Sequence, residues 1–395
     1  MDARKAIVSL LPLLLGAGIM NLGFGLLASL LGLRADMEGF PLPVVGAIMA
    51  AYFGGYLLGT WWVPLLVQRL GHVRVFALVV ALAVLSTVLH VLWVEPGPWL
   101  VLRALGGICF AGFSLVVESW LNARVVNAVR GTVMSAYMIL ILGGAASGQL
   151  LLLVADASGS LLFLLVAAAF ALALPPVLLA LPPLYGPVPA PLGVSLLWRL
   201  APAGVVGAFS NGLLAATFGS LGALYARQAG FPPWGIAVFM FGYIGGGLLG
   251  QWPLGRLSDR VDRRWVLLGA GAGLTLLALA GLADVVRIPE VGIVHGVLFG
   301  ALLLPVYALS IAHVNDGIHA SQVVPASAAL LRVFGLGALI GPVLAAEAMA
   351  RLGPAGLFMH VFLVGGVSTL VMACLSPPAP WPGMWRCVRR PDRAQ

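Results

Sequence analysis

The chain has 395 residues, of which 61% are hydrophobic and 9% charged, where a soluble domain carries roughly 25% charge. That composition excludes a protein whose main solvent is water. The formal net charge of +8 raises nucleic acid as a partner, but the basic residues sit in short loops between apolar runs and form no aromatic-interleaved patch, so no nucleic acid is expected and the partner is the lipid bilayer.

Apolar runs set against breakers predict twelve membrane-crossing helices, near 6–31, 42–67, 75–94, 99–121, 132–154, 160–181, 200–226, 232–255, 265–283, 289–312, 323–347 and 355–375. Each is close to the roughly 20 residues a spanning helix needs. The first opens basic and then apolar, as a signal peptide does. It is too long for an h-region and has eleven successors, so it is read as a retained span. The longest connection, PPLYGPVPAPLGVSLLWR after the sixth span, is proline-rich and reads as a semi-stiff tether rather than a helix. The organisation is therefore residues 1–183 as one six-helix bundle, 184–199 as linker, 200–376 as a second six-helix bundle and 377–395 as a basic tail.

The chain repeats itself. Shifted by 191 residues, Gly39–Arg69 lies on Gly230–Arg260 with 13 identities in 31 positions, among them Gly39/Gly230, Tyr52/Tyr243, Gly55/Gly246, Gly59/Gly250 and Trp61/Trp252. Asn21 matches Asn211, Arg103 faces His295, and Gly144 and Gly148 match Gly337 and Gly341 at nearly the same offset. Duplication at half-length is a common transporter plan. Small residues allow close helix approach in lipid, so the glycine-rich second, fifth, eighth and eleventh spans are read as a sliding interface between the halves.

Lys and Arg set the orientation. Fifteen fall on one side: Arg4, Lys5, Arg69, Arg74, Arg124, Arg130, Arg199, Arg256, Arg260, Arg263, Arg264, Arg386, Arg389, Arg390 and Arg393. Four fall on the other, Arg34, Arg227, Arg287 and Arg351, and two inside spans, Arg103 and Arg332. Both termini are expected to be cytoplasmic, in the inner membrane of a bacterium.

Twelve spans in two six-span repeats, with a charged turn after the second span and its echo after the eighth, resemble the major facilitator superfamily. Its signature reads roughly Gly-x-Leu-x-Asp-Arg-x-Gly-x-Arg-Arg. The second half gives Gly255-Arg-Leu257-Ser-Asp259-Arg260-Val-Asp262-Arg-Arg264, and the first half keeps Arg69, Gly71 and Arg74, with Gln68 in the aspartate place. The runs LLGQWPLGRLSD and VVESWLNARVV…RGTVMSAYM resemble the bacterial YcaD-like branch. The resemblance implies an all-α fold of two pseudo-symmetric bundles and a conformational latch made by Gly255, Asp259, Arg260 and Arg264, with Arg69 pairing Glu118. It also implies that Arg103, in the Arg-x-x-x-Gly pattern ending at Gly107, takes part in proton coupling.

Ionisable and amide groups within spans are costly and are weighed singly. For Arg103, snorkelling to headgroups and proton coupling stand level. His295, its repeat mate, reads first as an interfacial histidine and second as a titrating group. Arg332 lies on the order of 13 Å into its span at 1.5 Å per residue, too deep for headgroups, and is the leading candidate to bind a polar or anionic substrate group. Asn21 and Asn211 line a cavity or bond each other, and Gln149 takes the proline place of the family's antiporter motif. Glu118 reads as latch partner before proton carrier. His313, Asp316 and His319 are placed in a solvated loop, and Trp61, Trp62, Trp93, Trp99, Trp120, Trp252 and Trp265 in the interfacial belts.

Cys109, Cys374 and Cys387 make no metal spacing, and no GxxxxGK[ST] loop occurs, so no metal, no cofactor and no ATP-driven step are expected. The reading is a monomeric, proton-coupled exporter of a small organic solute, not an enzyme. Its rivals are a proton-independent uniporter or importer, a membrane-embedded sensor or scaffold, a membrane enzyme and a channel. The enzyme lacks a nucleophile and base at one depth, and the channel lacks a filter or charged ring.

Overall fold

The computed structural model describes residues 3–125, 129–178, 193–319 and 322–375. Most of the proline-rich linker and the whole basic tail lie outside the described residues. Among the described residues the secondary structure is helical throughout. The α-helices are α1 (Ala3–Met37), α2 (Leu42–Leu70), α3 (His72–Leu92), α4 (Pro96–Arg124), α5 (Arg130–Leu150), α6 (Leu161–Leu178), α7 (Val194–Leu200), α8 (Pro202–Gln228), α9 (Pro233–Ser258), α10 (Arg263–Gly281), α11 (Pro289–Leu303), α12 (Pro305–Asn315), α13 (Val323–Leu352) and α14 (Ala355–Leu375).

Eleven stretches are long and apolar enough to cross a membrane, Pro289–Asn315 counting as one although Pro305 divides it into α11 and α12. Proline has no N–H to give the carbonyl one turn back, so the helix breaks there. The twelfth apolar helix, α6, is shorter. The tether is only partly as read: after Gly193 the prolines cease, and Val194–Leu200 forms a short helix with Leu197 buried.

The repeat is visible in the turns. Gly39 has φ 74° and Gly230 φ 89°, the left-handed region that glycine enters at no steric cost. In the first copy Gly39 N–H donates to Asp36 O (3.1 Å) and Phe40 N–H to Ala35 O (2.9 Å). In the second, Gly230 N–H donates to Arg227 O (3.0 Å) and Phe231 N–H to Ala226 O (2.9 Å). Both turns close the preceding helix by a backbone motif common at helix C-termini, and a proline then starts the next helix.

Helix neighbours repeat as well. In residues 3–178, α2 packs on α4 and α1 on α5 and α6; in residues 193–375, α9 packs on α11 and α8 on α13 and α14. Glycines make these crossings. A Cβ at Gly107 would land on Tyr52 O and one at Gly300 on Tyr243 O; Gly144 and Gly148 face Gly18 O and Leu22 O as Gly337 and Gly341 face Phe209 O and Leu213 O. These spans therefore bury their glycines inside each half. The same four spans also join the halves, as the sequence reading expected: α2 lies on α13 and α5 on α9, and α1 on α8 adds to them.

Candidate functional site

At one end the halves are held together by packing and by charge. Beside the Gly39 and Gly230 turns, a side chain at Gly32 would meet Ser220 O and one at Gly46 would meet Ala346 and Pro342. Charge completes this closure. Arg227 Nη1 donates to Leu33 O (3.1 Å) and pairs with Asp36 (3.4 Å), while Gln228 Nε2 donates to Asp36 Oδ1 (3.0 Å). Asp36 and Arg227 are repeat mates, 191 residues apart, carrying opposite charge at one position of two copies of one turn. On the same end Arg34 pairs with Glu38 (2.6 Å), and Asp156, in the loop after α5, is held below the usual carboxylate range by its hydrogen bonds with Ser158. Toward the other, arginine-rich end, α2 and α13 meet where the Arg332 guanidinium lies 5.6 Å from the Trp61 ring centroid.

Below that closure Glu118 stands exposed although helices from both halves surround it. Tyr137 Oη of α5 donates to its carboxylate (3.5 Å), and Tyr56 of α2 and Tyr307 of α12 lie within electrostatic reach. Glu118 is thus an exposed carboxylate with tyrosines of both halves near it. Above Glu118 on the same face of α4, at helical spacing, is Phe110. It meets Phe24 of α1 edge-on at 4.8 Å and Tyr56 at 5.9 Å, and all three rings are partly exposed. Two grooves, of about 400 Å³ beside α2 and α13 and about 370 Å³ between α8 and α14, are lined almost wholly by aliphatic side chains. The two serines of the second, Ser210 and Ser368, bond back to their own helices.

The remaining candidates fall into place individually. Arg103 is 4% exposed, so it does not snorkel. Its guanidinium stacks 4.6 Å from the Tyr52 centroid with Nη2 3.8 Å from Met49 Sδ, and it has no ion pair among the described residues. His295 is buried rather than interfacial: Nε2–H donates to Leu277 O (2.7 Å), and the ring packs on Phe299 and Phe358. Gln149 is spent on α1, accepting from Ser29 Oγ and donating to Gly25 O, both at 2.7 Å. Asn21 donates to Ala17 O in its own helix. Asn211 donates to Leu303 O (2.6 Å), a carbonyl at the Pro305 break that regular helix would have satisfied. The two asparagine amide groups thus donate to backbone carbonyls and not to each other. Asn211→Leu is expected to cost about 1 kcal/mol, within the range of interhelical hydrogen bonds in membranes, and to lower the thermal midpoint in detergent, while Asn21→Leu leaves it nearly unmoved.

At the arginine-rich end the charged turn has a structural side. Asp262, in the signature's glycine place, caps α10 by accepting from Arg264 N–H (2.9 Å). Arg263, not singled out from sequence, joins Asp259 (3.7 Å) to Asp316 at the end of α12 (2.9 Å). Gly255 has open space around it, and Arg69 and Arg260 are exposed. Two sequence assignments are corrected here. His313 is a buried residue of α12, because that helix runs on to Asn315, and Trp99 and Trp120 are fully buried. Trp99 Nε1–H donates to His90 O (3.1 Å), giving its indole a partner that lipid would not supply.

Solved structures of membrane transporters share this all-helical fold. A mutant form of the nucleoside transporter NupG superposes with a TM-score of 0.80 at 11% identity over 93% of this chain and 99% of its own. A D-xylose–proton symporter gives 0.71 at 14% identity over 93% and 97%. No family model matches the chain. Among curated proteins it is similar to the YcaD-like transporters: 28% identical over 92% of this chain to an uncharacterized MFS-type transporter of Enterobacter sp. (strain 638), covering 94% of that protein. It is likewise 28% identical, over 91% of the chain and 94% of the relative, to the uncharacterized MFS-type transporter YcaD of Salmonella newport (strain SL254).

Proposed function

We propose that the protein is a secondary active transporter that moves a small organic solute across a bacterial inner membrane by alternating access. The observation that supports this is a charged clasp between the halves at the end of the Gly39 and Gly230 turns, with Glu118 exposed near the arginine-rich end of α4. In this reading α6, about 27 Å long at 1.5 Å per residue, is the twelfth span, and residues 1–183 and 200–376 form two six-helix bundles that rock about a central cavity. The arginine-rich end is cytoplasmic by the Lys/Arg bias, with both termini there. The state described is then open to the cytoplasm, and the Asp259, Arg260, Arg264 and Arg69 turn closes only after the clasp parts. Proton coupling through Arg103, His295 or Glu118, and export as a monomer, complete the reading; the proton-symporting neighbour supports the first of these.

The test is two reporter cysteines in a background without the native ones. Ser220→Cys lies beneath the clasp and Ser114→Cys on α4 between Phe110 and Glu118. A membrane-impermeant maleimide should reach Ser114→Cys from the cytoplasmic face and Ser220→Cys from the other. Loosening the clasp should raise the second rate as it lowers the first. Rates that rise together, or a Ser220→Cys that never reacts, refute alternating access.

A further inference from the structure

We infer that the groove of about 400 Å³ beside α2 and α13 holds one acyl chain of a phospholipid from the leaflet at the clasped end, and that this chain favours the clasped state. The site itself needs only a membrane; its effect on the clasp rests on the transport reading above.

The groove is built on the seam of the halves. Its floor is Ala47, Ala50 and Ala51 of α2, one wall is Leu100 of α4, and the other is formed by α13 between Leu339 and Leu344. By helical spacing Ala47 and Ala51 lie on the side of α2 away from Met49 and Tyr56, which meet Arg103 and Phe110 within the bundle. The groove therefore opens to lipid, and Leu100, Ile340 and Leu344 on its walls are exposed. The hollow is particular to this seam. At the repeat offset, Val238, Phe241 and Gly242 of α9 stand where α2 has its three alanines. Phe241 is exposed, so the second copy supplies a ring of its own where the first leaves room.

Depth says what fills that room. Ala47 and Ala51 lie about 8 and 14 Å beyond Leu42 at 1.5 Å per residue, within the roughly 15 Å of hydrocarbon in one leaflet. On α13, Val343, Glu347 and Arg351 follow one another at four-residue spacing on one face. Arg351 holds Glu347 through Nε (2.8 Å) and Nη2 (2.6 Å), and this ion pair is exposed. Such a pair belongs at headgroup level, so the groove begins beneath the headgroups and runs down the leaflet. Its lining is aliphatic, and a polar solute finds no partner there. Lipid tails are as apolar as leucine, so burial alone gives a chain no advantage over the bulk bilayer. What holds it is close contact on three sides, which a straight flexible chain makes better than a branched one. The floor and one wall come from the first half and the other wall from the second. Parting α2 from α13 would dismantle the groove, so a chain seated in it shifts the population toward the arrangement described here.

The experiment uses the full chain in nanodiscs of straight-chain phosphatidylcholine, doped with phosphatidylcholine carrying a diazirine midway along one acyl chain. After irradiation, crosslinks should be several-fold denser on residues 47–51 and 339–344 than on the matching face of α9 at 238–242. Ala47→Leu with Ala51→Leu fills the floor and should lower the groove to that level while crosslinks elsewhere stay unchanged. In a second arm the Ser220→Cys reporter is labelled in discs of straight-chain lipid and in discs of diphytanoyl lipid, whose methyl branches fit the groove poorly. Labelling should be several-fold faster with the branched chains, and indifferent to chain shape once the floor is filled. Crosslinks no denser in the groove than on α9, or undiminished by the filled floor, overturn the site. Discs holding two copies of the protein with the groove protected give it to a second copy and overturn it as well. Labelling indifferent to chain shape with the floor unfilled overturns the hold on the clasped state. If the Ser220→Cys and Ser114→Cys rates never move in opposite directions, the transport reading is what fails, and a crosslinked groove stands as a lipid site.

Discussion

Gly107→Leu is expected to leave no folded, monodisperse protein, while Gly106→Leu one position away purifies as wild type. A Cβ at Gly107 would overlap Tyr52 O and crowd Tyr56 N; at Gly106 it would meet nothing within 4 Å. The obstacle at Gly107 is backbone of α2, which cannot turn aside as a side chain can. The crossing is closed from both partners, because a Cβ at Gly55 of α2 would in turn strike Ala104 O of α4. Inserting methylenes into a packed core costs typically 1–3 kcal/mol when side chains absorb them. With two helix backbones in contact, relief requires separating α2 from α4, so the upper end or beyond applies, a large share of a marginal stability of about 5–15 kcal/mol. Gly106→Leu should stay within about 0.5 kcal/mol. Size-exclusion profile and thermal midpoint of the two variants decide the matter. Gly300→Leu should repeat the failure in the second half, where Tyr243 O stands in for Tyr52 O.

That pair also marks how far the sequence could be read. The tandem repeat was legible because identical residues at a fixed offset do the same work twice: the Gly39 and Gly230 turns, the Tyr52 and Tyr243 carbonyls under a glycine, and the α1–α5 and α8–α13 crossings all recur. What a glycine packs against was not legible, since a small residue announces a close approach and not its partner. Depth could be counted from a helix end, but rotation could not. Because α13 begins at Val323, Arg332 keeps the place along its helix that was counted, and its stacking on Trp61 depends on where α2 passes. Arg103 and Trp99 lie near the start of α4, where an outward face would have reached headgroups; the helix turns both inward. Gln149 and Asn211 are polar residues whose bonding partners, Gly25 O and Leu303 O, are backbone atoms that no residue pattern reveals. The tyrosines near Glu118 were missed as a set because Tyr56, Tyr137 and Tyr307 are ordinary residues within apolar runs. One signal was present and unused: at the very offset of the repeat, Asp36 stands opposite Arg227.

Arg227→Asp should open the end of the molecule that is shut here, and adding Asp36→Arg should largely shut it again. Asp36 and Arg227 share one position in the two repeats, so a rotation relating the halves brings them face to face wherever it brings the turns together. The wild-type pair is 3.4 Å apart and partly exposed, which alone limits it to about 0–1 kcal/mol. It does not act alone: Gln228 shares the carboxylate, and Arg227 also holds Leu33 O. Arg227→Asp loses these bonds and places two carboxylates together, a swing of about 2 kcal/mol between the closed and open states, or roughly thirtyfold in their ratio. Labelling of Ser220→Cys should quicken by about that factor while Ser114→Cys slows. Because the pair is reached by solvent, 0.5 M salt should shrink the difference. Swapping the charges restores the attraction but leaves Gln228 beside an arginine, so recovery stops short of the wild-type rate. The charge pattern, rather than the packing at Gly32 and Gly46, is then what sets how often that end opens. If the double swap labels as fast as the single variant, packing alone governs the gate, and the opposite charges on the repeated turn have no part in holding it.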